Sequence, residues 1–250
     1  MFKPLTKKNT KKTVLKVVLL SLLVFISATG LSQDITRELK ITNFTSIAVS
    51  SGISVYLNQD SVEKIKAIGS DTLLNDLVVI KEASGNLKIE MGNYLLQNWQ
   101  WGKNEPLKVL ITFKNLSKIS LNNGASMCST GELNFDNLII NSDDASNAKF
   151  DLKANNLQIF LINGSDIRLL GKTTLLQVEA SNACNVKAFE LKAESINAKF
   201  TNGSDGELHA LKKIIIWAKN KCDVQFMGGY TLVKKLKKLE FSTIKEAKIK

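Results

Sequence analysis

The chain has 250 residues, with 34 lysine plus arginine against 23 aspartate plus glutamate, one histidine and three cysteines. That length supports one well-buried core, and the single histidine, His209, leaves any Ser/His or Cys/His catalytic scheme with one candidate base. The positive excess argues poorly for nucleic acid, because it sits at the ends: six lysines and no acid precede Gln33, seven lysines face two glutamates from Tyr230 on, and 21 of each sign lie between.

In chain order the first predicted element is a cleaved secretory signal peptide over residues 1–32. Lys3, Lys7, Lys8, Lys11, Lys12 and Lys16 make a basic start, "VLKVVLLSLLVFISATGLS" follows, and Gly30 and Ser32 are the small residues that a cut after Ser32 requires, with a cut after Gly30 as the alternative. The apolar run Val17–Ile26 is shorter than the roughly 20 residues of a membrane span. No cysteine stands near the cut, which excludes a lipid-modified cysteine start.

Residues 33–229 read as one domain. Its earlier part is expected to add rungs at one end of the structure that follows. Within it, Trp99 and Trp101 in "QNWQWGKNEP" fall at alternate positions and share a face. Paired exposed tryptophans suit a sugar or peptide surface, so both are weak ligand candidates. A cap over an open end is the stronger reading.

From Asn123 a four-residue turn recurs: Asn123-Gly124-Ala125-Ser126, Asp144-Ala145-Ser146-Asn147, Asn163-Gly164-Ser165-Asp166, Asn182-Ala183-Cys184-Asn185, Asn202-Gly203-Ser204-Asp205 and Asn220-Lys221-Cys222-Asp223. Its second positions are 21, 19, 19, 20 and 18 residues apart. Before each later turn comes an alternating apolar run, as in Leu157-x-Ile159-x-Leu161 and Ile214-x-Ile216-x-Ala218. Period two means strands with one buried face. Two short strands per ~19–20 residues, in register, predict an all-β parallel β-helix, or β-solenoid, with capped ends. Each turn is then a corner: Asn and Gly tolerate positive φ, and stacked Asn and Asp side chains can bond in ladders. Ala145, Ala183 and Lys221 replace the glycine, so a left-handed corner there costs about 1 kcal/mol.

Asp166, Asp205 and Asp223 share the fourth corner position with Asn147 and Asn185. A calcium ladder is the sharp alternative, but an intervening asparagine coil would set the aspartates about 9.6 Å apart. They are assigned as structural corner residues, and no metal or other cofactor is expected. Cys184 and Cys222 fill one corner column two coils apart, beyond disulfide reach. His209 follows the inward Leu208 and is expected to face solvent with no partner for general-base work. Residues 230–250 form a lysine-rich tail that reads as a solvated cap, an amphipathic helix, a last coil or a frayed end.

Several stretches resemble the bacterial family of auto-transporter adhesin head GIN domains, frequent in Bacteroidetes. "FTSIAVSSGISVYLNQDSVEKIKAIGSDTLL" (Phe44–Leu74) is similar to its opening, "SGNLKIEMG" and "WQWGKNEPLKVLITFKNLSKISLNNGAS" to its middle, and the serial corners to its second half. The sequence departs at Gly52-Ile53-Ser54, which lacks the family's Asn. The resemblance implies a right-handed parallel β-helix outside the cytoplasm. Residues and resemblance together predict an exported, non-enzymatic binding or adhesion-type module of a Gram-negative periplasm or cell surface. Its expected partner is an envelope protein or glycan, not nucleic acid, with membrane contact only through the leader or the basic tail. A carbohydrate-active enzyme and an assembly scaffold are the rivals.

Overall fold

The computed structural model describes residues 35–92, 107–229 and 233–247. The predicted signal peptide over residues 1–32 and the Trp99–Trp101 segment lie outside the described residues.

The repeat forms a parallel β-solenoid of about six turns. Its body is five strands of 15–17 residues, one per coil: β9 (Ser126–Ser142), β10 (Asn147–Ile162), β11 (Asp166–Ser181), β12 (Asn185–Thr201) and β13 (Asp205–Lys219). Each pairs in parallel with the next. The register is the one the corner spacing predicts, and Ile140, Ile159, Val178, Ala198 and Ile216 stack in one column. All five are at most 2% exposed.

The expectation of two short strands per coil is corrected. Each coil is one long bent strand with three inward runs, which in β10 are Ala148-x-Phe150, Leu152-x-Ala154 and Leu157-x-Ile159-x-Leu161. The exposed pair Asn155-Asn156 breaks the alternation and turns the third run inward again. The middle run is hard to see in sequence because its equivalents are small or polar, including Gly171, Thr173, Ala193 and Ala210. Three of the four ladders slip register at the bend before it, at Lys149/Asp151, Arg168/Leu170 and Ala188/Lys192. Such bulges take up extra residues locally, so the repeat length can vary while the corners stay aligned.

Packing compensates from coil to coil. Phe200 is fully buried beside a corner, and a Cβ on Gly206, across that corner, would lie 2.4 Å from its ring. A large residue in one inward column therefore faces a glycine in the column across the corner, as close packing requires.

The earlier chain does add rungs, but out of chain order. β2 (Ser46–Val49) and β3 (Ser54–Gln59) flank a corner at Ser51-Gly52. β2 lies between β6 (Asn86–Met91) and β8 (Lys118–Leu121), and β3 between β7 (Lys108–Phe113) and β9. The β2–β3 coil is thus sandwiched between a later rung and the solenoid body. Beyond that rung the pairing becomes antiparallel: β4 (Lys64–Gly69) joins β7 to β1 (Ile35–Leu39), and β5 (Leu77–Lys81) joins β6. A short helix, α1 (Asp71–Asp76), is capped by Ser70 and buries Leu73 and Leu74. These elements finish the core at that end.

Of the readings of residues 230–250, the last coil is what the structure contains. β14 (Asp223–Gly228) pairs with β13 and with β16 (Thr243–Glu246), while β15 (Val233–Leu239) pairs with β13. Lys234, Leu236 and Lys238 take the register of Ile214, Ile216 and Ala218, the inward columns of the preceding coil. Lys234 bonds Glu246 at 2.5 Å and lies over the Phe226 ring, so its stem covers the core's end while its charge stays in water.

Candidate functional site

The corners are the most regular part of the surface. Eight successive corners have two residues in the left-handed region: Ser51-Gly52, Asn123-Gly124, Asp144-Ala145, Asn163-Gly164, Asn182-Ala183, Asn202-Gly203, Asn220-Lys221 and Glu240-Phe241. Ala145, Ala183 and Lys221 adopt φ of 57°, 61° and 60°, so these corners are left-handed despite lacking glycine. The backbone compensates, because each second-position N–H donates to the first-position carbonyl of the next coil, from Gly52 to Asn123 through Lys221 to Glu240.

Side chains add a second ladder. Asn220 Nδ2 donates to Asn202 Oδ1 at 2.8 Å, Asn202 to Asn182 at 2.9 Å, Asn182 to Asn163 at 3.0 Å, and Asn163 to Asp144 at 3.2 Å. An amide both donates and accepts, whereas a carboxylate only accepts, so Asp144 is a fitting terminus. The third corner position points inward: Ala125, Ser146, Ser165, Cys184, Ser204, Cys222 and Ser242 are all buried. Cys184 N–H donates to Ser204 Oγ, and Cys222 N–H to Ser242 Oγ, each at 3.2 Å. Burial pushes the Cys184 thiol pKa up, and that of the half-buried Cys128 as well, with Lys149 opposing the latter. All three cysteines are free.

At the fourth position Asn185 Nδ2 donates to Asp166 Oδ1 at 2.7 Å, and Thr243 Oγ1 donates to Asp223. The spacing argument of an asparagine between aspartates holds for Asp166 and Asp205 and fails for Asp205 and Asp223. These two lie on adjacent coils, with Asp223 N–H donating to Asp205 Oδ1 at 2.8 Å. Among the described residues no three His, Cys, Asp or Glu side chains gather to hold a metal ion.

His209 is half-buried rather than open to solvent. Its Nδ1 lies 3.1 Å from the Phe189 carbonyl, which can only accept, so that nitrogen carries the proton. It sits in register with Lys192, at the end of a basic row.

Two shallow troughs cross the coils. One, of about 520 Å³, runs beside Phe160, Glu179, Lys199 and Trp217, with the Lys199 ammonium 5.6 Å from the Trp217 ring centroid. The other, of about 530 Å³, runs beside Lys153, Lys172 and Lys192. Neither row is visible from the corners alone. Both repeat at the corner spacing, and extending the frame along each coil exposes them.

A parallel β-solenoid with ladder-bonded corners and shallow, repeating outer faces is the class these observations define. The chain belongs to the family described as "Putative auto-transporter adhesin, head GIN domain", which matches residues 43–229. Among solved structures it is similar to a "putative adhesin" from Bacteroides fragilis, with a TM-score of 0.78, 21% identity, and coverage of 86% of this chain and 97% of that one. It is also similar to a "putative lipid binding protein" from Parabacteroides distasonis, with a TM-score of 0.66, 16% identity and coverage of 88% and 98%. A third is a "putative adhesin" from Parabacteroides merdae, with a TM-score of 0.62, 18% identity and coverage of 88% and 98%. At these identities the likeness is one of fold. No curated protein matches the chain. No helix among the described residues is long and apolar enough to cross a membrane.

Proposed function

We propose that this protein is an exported, non-enzymatic adhesion-type module of a Gram-negative envelope, whose rigid outer face meets an envelope protein or glycan. The observation that carries the reading is the parallel register of the coils, kept on either side of the bulges, which sets equivalent outward side chains in rows instead of converging them on one reaction centre. The family description points the same way, as does the leader-like start with its small residues Gly30 and Ser32. His209 donates to a main-chain carbonyl, which suits a structural role.

The test is expression of the whole chain in a Gram-negative host, followed by fractionation, N-terminal sequencing and retention of protein-coated beads on envelope-coated surfaces. The reading expects a mature chain starting at Gln33 or Leu31, outside the cytoplasm, and retention above that of a charge-matched inert protein. Uncut chain in the cytoplasm, or beads that wash off like the control, would contradict it. Release of oligosaccharides from envelope polysaccharides would favour the enzyme rival.

A further inference from the structure

Lys153, Lys172 and Lys192 stand in register on β10, β11 and β12. Neighbouring strands are about 4.8 Å apart, so three ammonium groups rise in one line from one face. Like charges directly opposite on adjacent strands destabilise a sheet. Acids relieve part of this: Lys153 pairs with Glu132, while Glu190 and Glu194 are engaged by Arg168 at 2.5 Å and Lys212 at 2.6 Å. Lys172 and Lys192 are exposed and have neither an ion pair nor a hydrogen bond among the described residues. They line the 530 Å³ trough, together with Asn155, Thr174 and Glu194. A second row, Lys149, Arg168 and Lys187, runs parallel to it on the same coils. The fold thus carries unrelieved like charge where it could have placed neutral residues, and local rules are broken in this way chiefly at functional sites.

We propose that this trough binds a linear polyuronate, a polysaccharide with one carboxylate on each sugar, held by Lys172 and Lys192 on successive coils. The proposal rests on the adhesion reading and names its ligand class. Charge complementarity selects a polyanion, and the single line of cations selects a linear one. One lysine per coil, at the strand spacing of about 4.8 Å, makes a continuous line of positive charge along which the carboxylates of such a chain can pair. Asn155 and Thr174 supply donors and acceptors for sugar hydroxyls. An extended peptide added as a strand would need a free sheet edge, whereas β10, β11 and β12 are each paired on both sides. A nucleic-acid strand is bound on stacked aromatic platforms, and among the described residues Phe135 is the one aromatic lining this trough.

The experiment is titration of the purified protein with polygalacturonate, neutral dextran and single-stranded DNA over a salt series. Three proteins are compared: wild type, the double variant Lys172→Ala/Lys192→Ala, and the double variant Lys235→Ala/Lys237→Ala in the last coil. The expected result is salt-sensitive binding of polygalacturonate that weakens at least about tenfold in the first variant and stays within about twofold in the second. Dextran should not bind, and DNA should bind more weakly. If alanine lowers the melting temperature, the glutamine pair at the same positions is read instead. No polygalacturonate binding, loss in the last-coil variant alone, or DNA bound as tightly through the same lysines would each overturn the proposal. Wild-type beads that still adhere to envelopes while polygalacturonate fails would sink only the ligand assignment; loss of both would remove the adhesion reading with it.

Discussion

Among the described glycines, Gly171 is the one whose added Cβ would come nearest to another atom. Its φ is 107°, and a Cβ there would lie 2.0 Å from the Leu152 carbonyl oxygen of the neighbouring coil. No flexible side chain can yield, because the obstacle is backbone. Gly171→Ala is therefore expected to lower unfolding free energy by about 2–4 kcal/mol in denaturant melts, and an unchanged midpoint would contradict the close approach. The buried corner serines divide into two kinds. Among the described residues Ser165 Oγ has no hydrogen-bond partner, whereas Ser204 Oγ accepts from Cys184 N–H. Ser204→Ala should destabilise by about 1 kcal/mol and Ser165→Ala should not destabilise at all, so a loss of stability confined to Ser204→Ala in paired melts is the check. Six of the eight corners were legible because Asn or Asp holds their first left-handed position, a conformation these side chains tolerate. Gly171 was not, since its requirement comes from a carbonyl 19 positions earlier in the register.

At the scale of elements, the last coil shows how the stack ends. A column of aliphatic residues that stayed aliphatic to the edge would invite another copy to add on, and lysines blunt such edges. Lys234 and Lys238 do this at the inward register positions of β15. Replacing both with leucine should produce concentration-dependent end-to-end association in size-exclusion with light scattering, and a strictly monomeric variant would argue against the blunting role. In sequence this stretch had several readings because its paired lysines, Lys234-Lys235 and Lys237-Lys238, break the apolar alternation of a strand and mimic a solvated tail. The corner at Glu240-Phe241 lacks the Asn-Gly signature, although both residues are left-handed and Ser242 is buried. The order of the first rungs was also illegible. β2, β3, β6 and β7 are strands of 4–6 residues, too short for alternation to say which rung each one joins, and their partners lie tens of residues away.

For the whole molecule, function depends on whether outward side chains keep fixed spacing along the stack. The solenoid body was readable because one frame explains corners and aliphatic columns together. The basic rows were missed because exposed lysines carry no packing signal and acquire meaning only when coils are superposed. The most direct measurement is a pulsed electron–electron distance between spin labels at Lys149→Cys and Gln225→Cys. The native cysteines would be replaced by serine, which the corner column already holds at Ser146, Ser165 and Ser204. Lys149, Arg168, Lys187, Glu207 and Gln225 occupy one outward column on five successive coils. Four coil spacings then predict a narrow distribution centred near about 19 Å, before allowance for the labels. A broad distribution, or a centre well beyond about 30 Å, would show that the coils do not stack in this register.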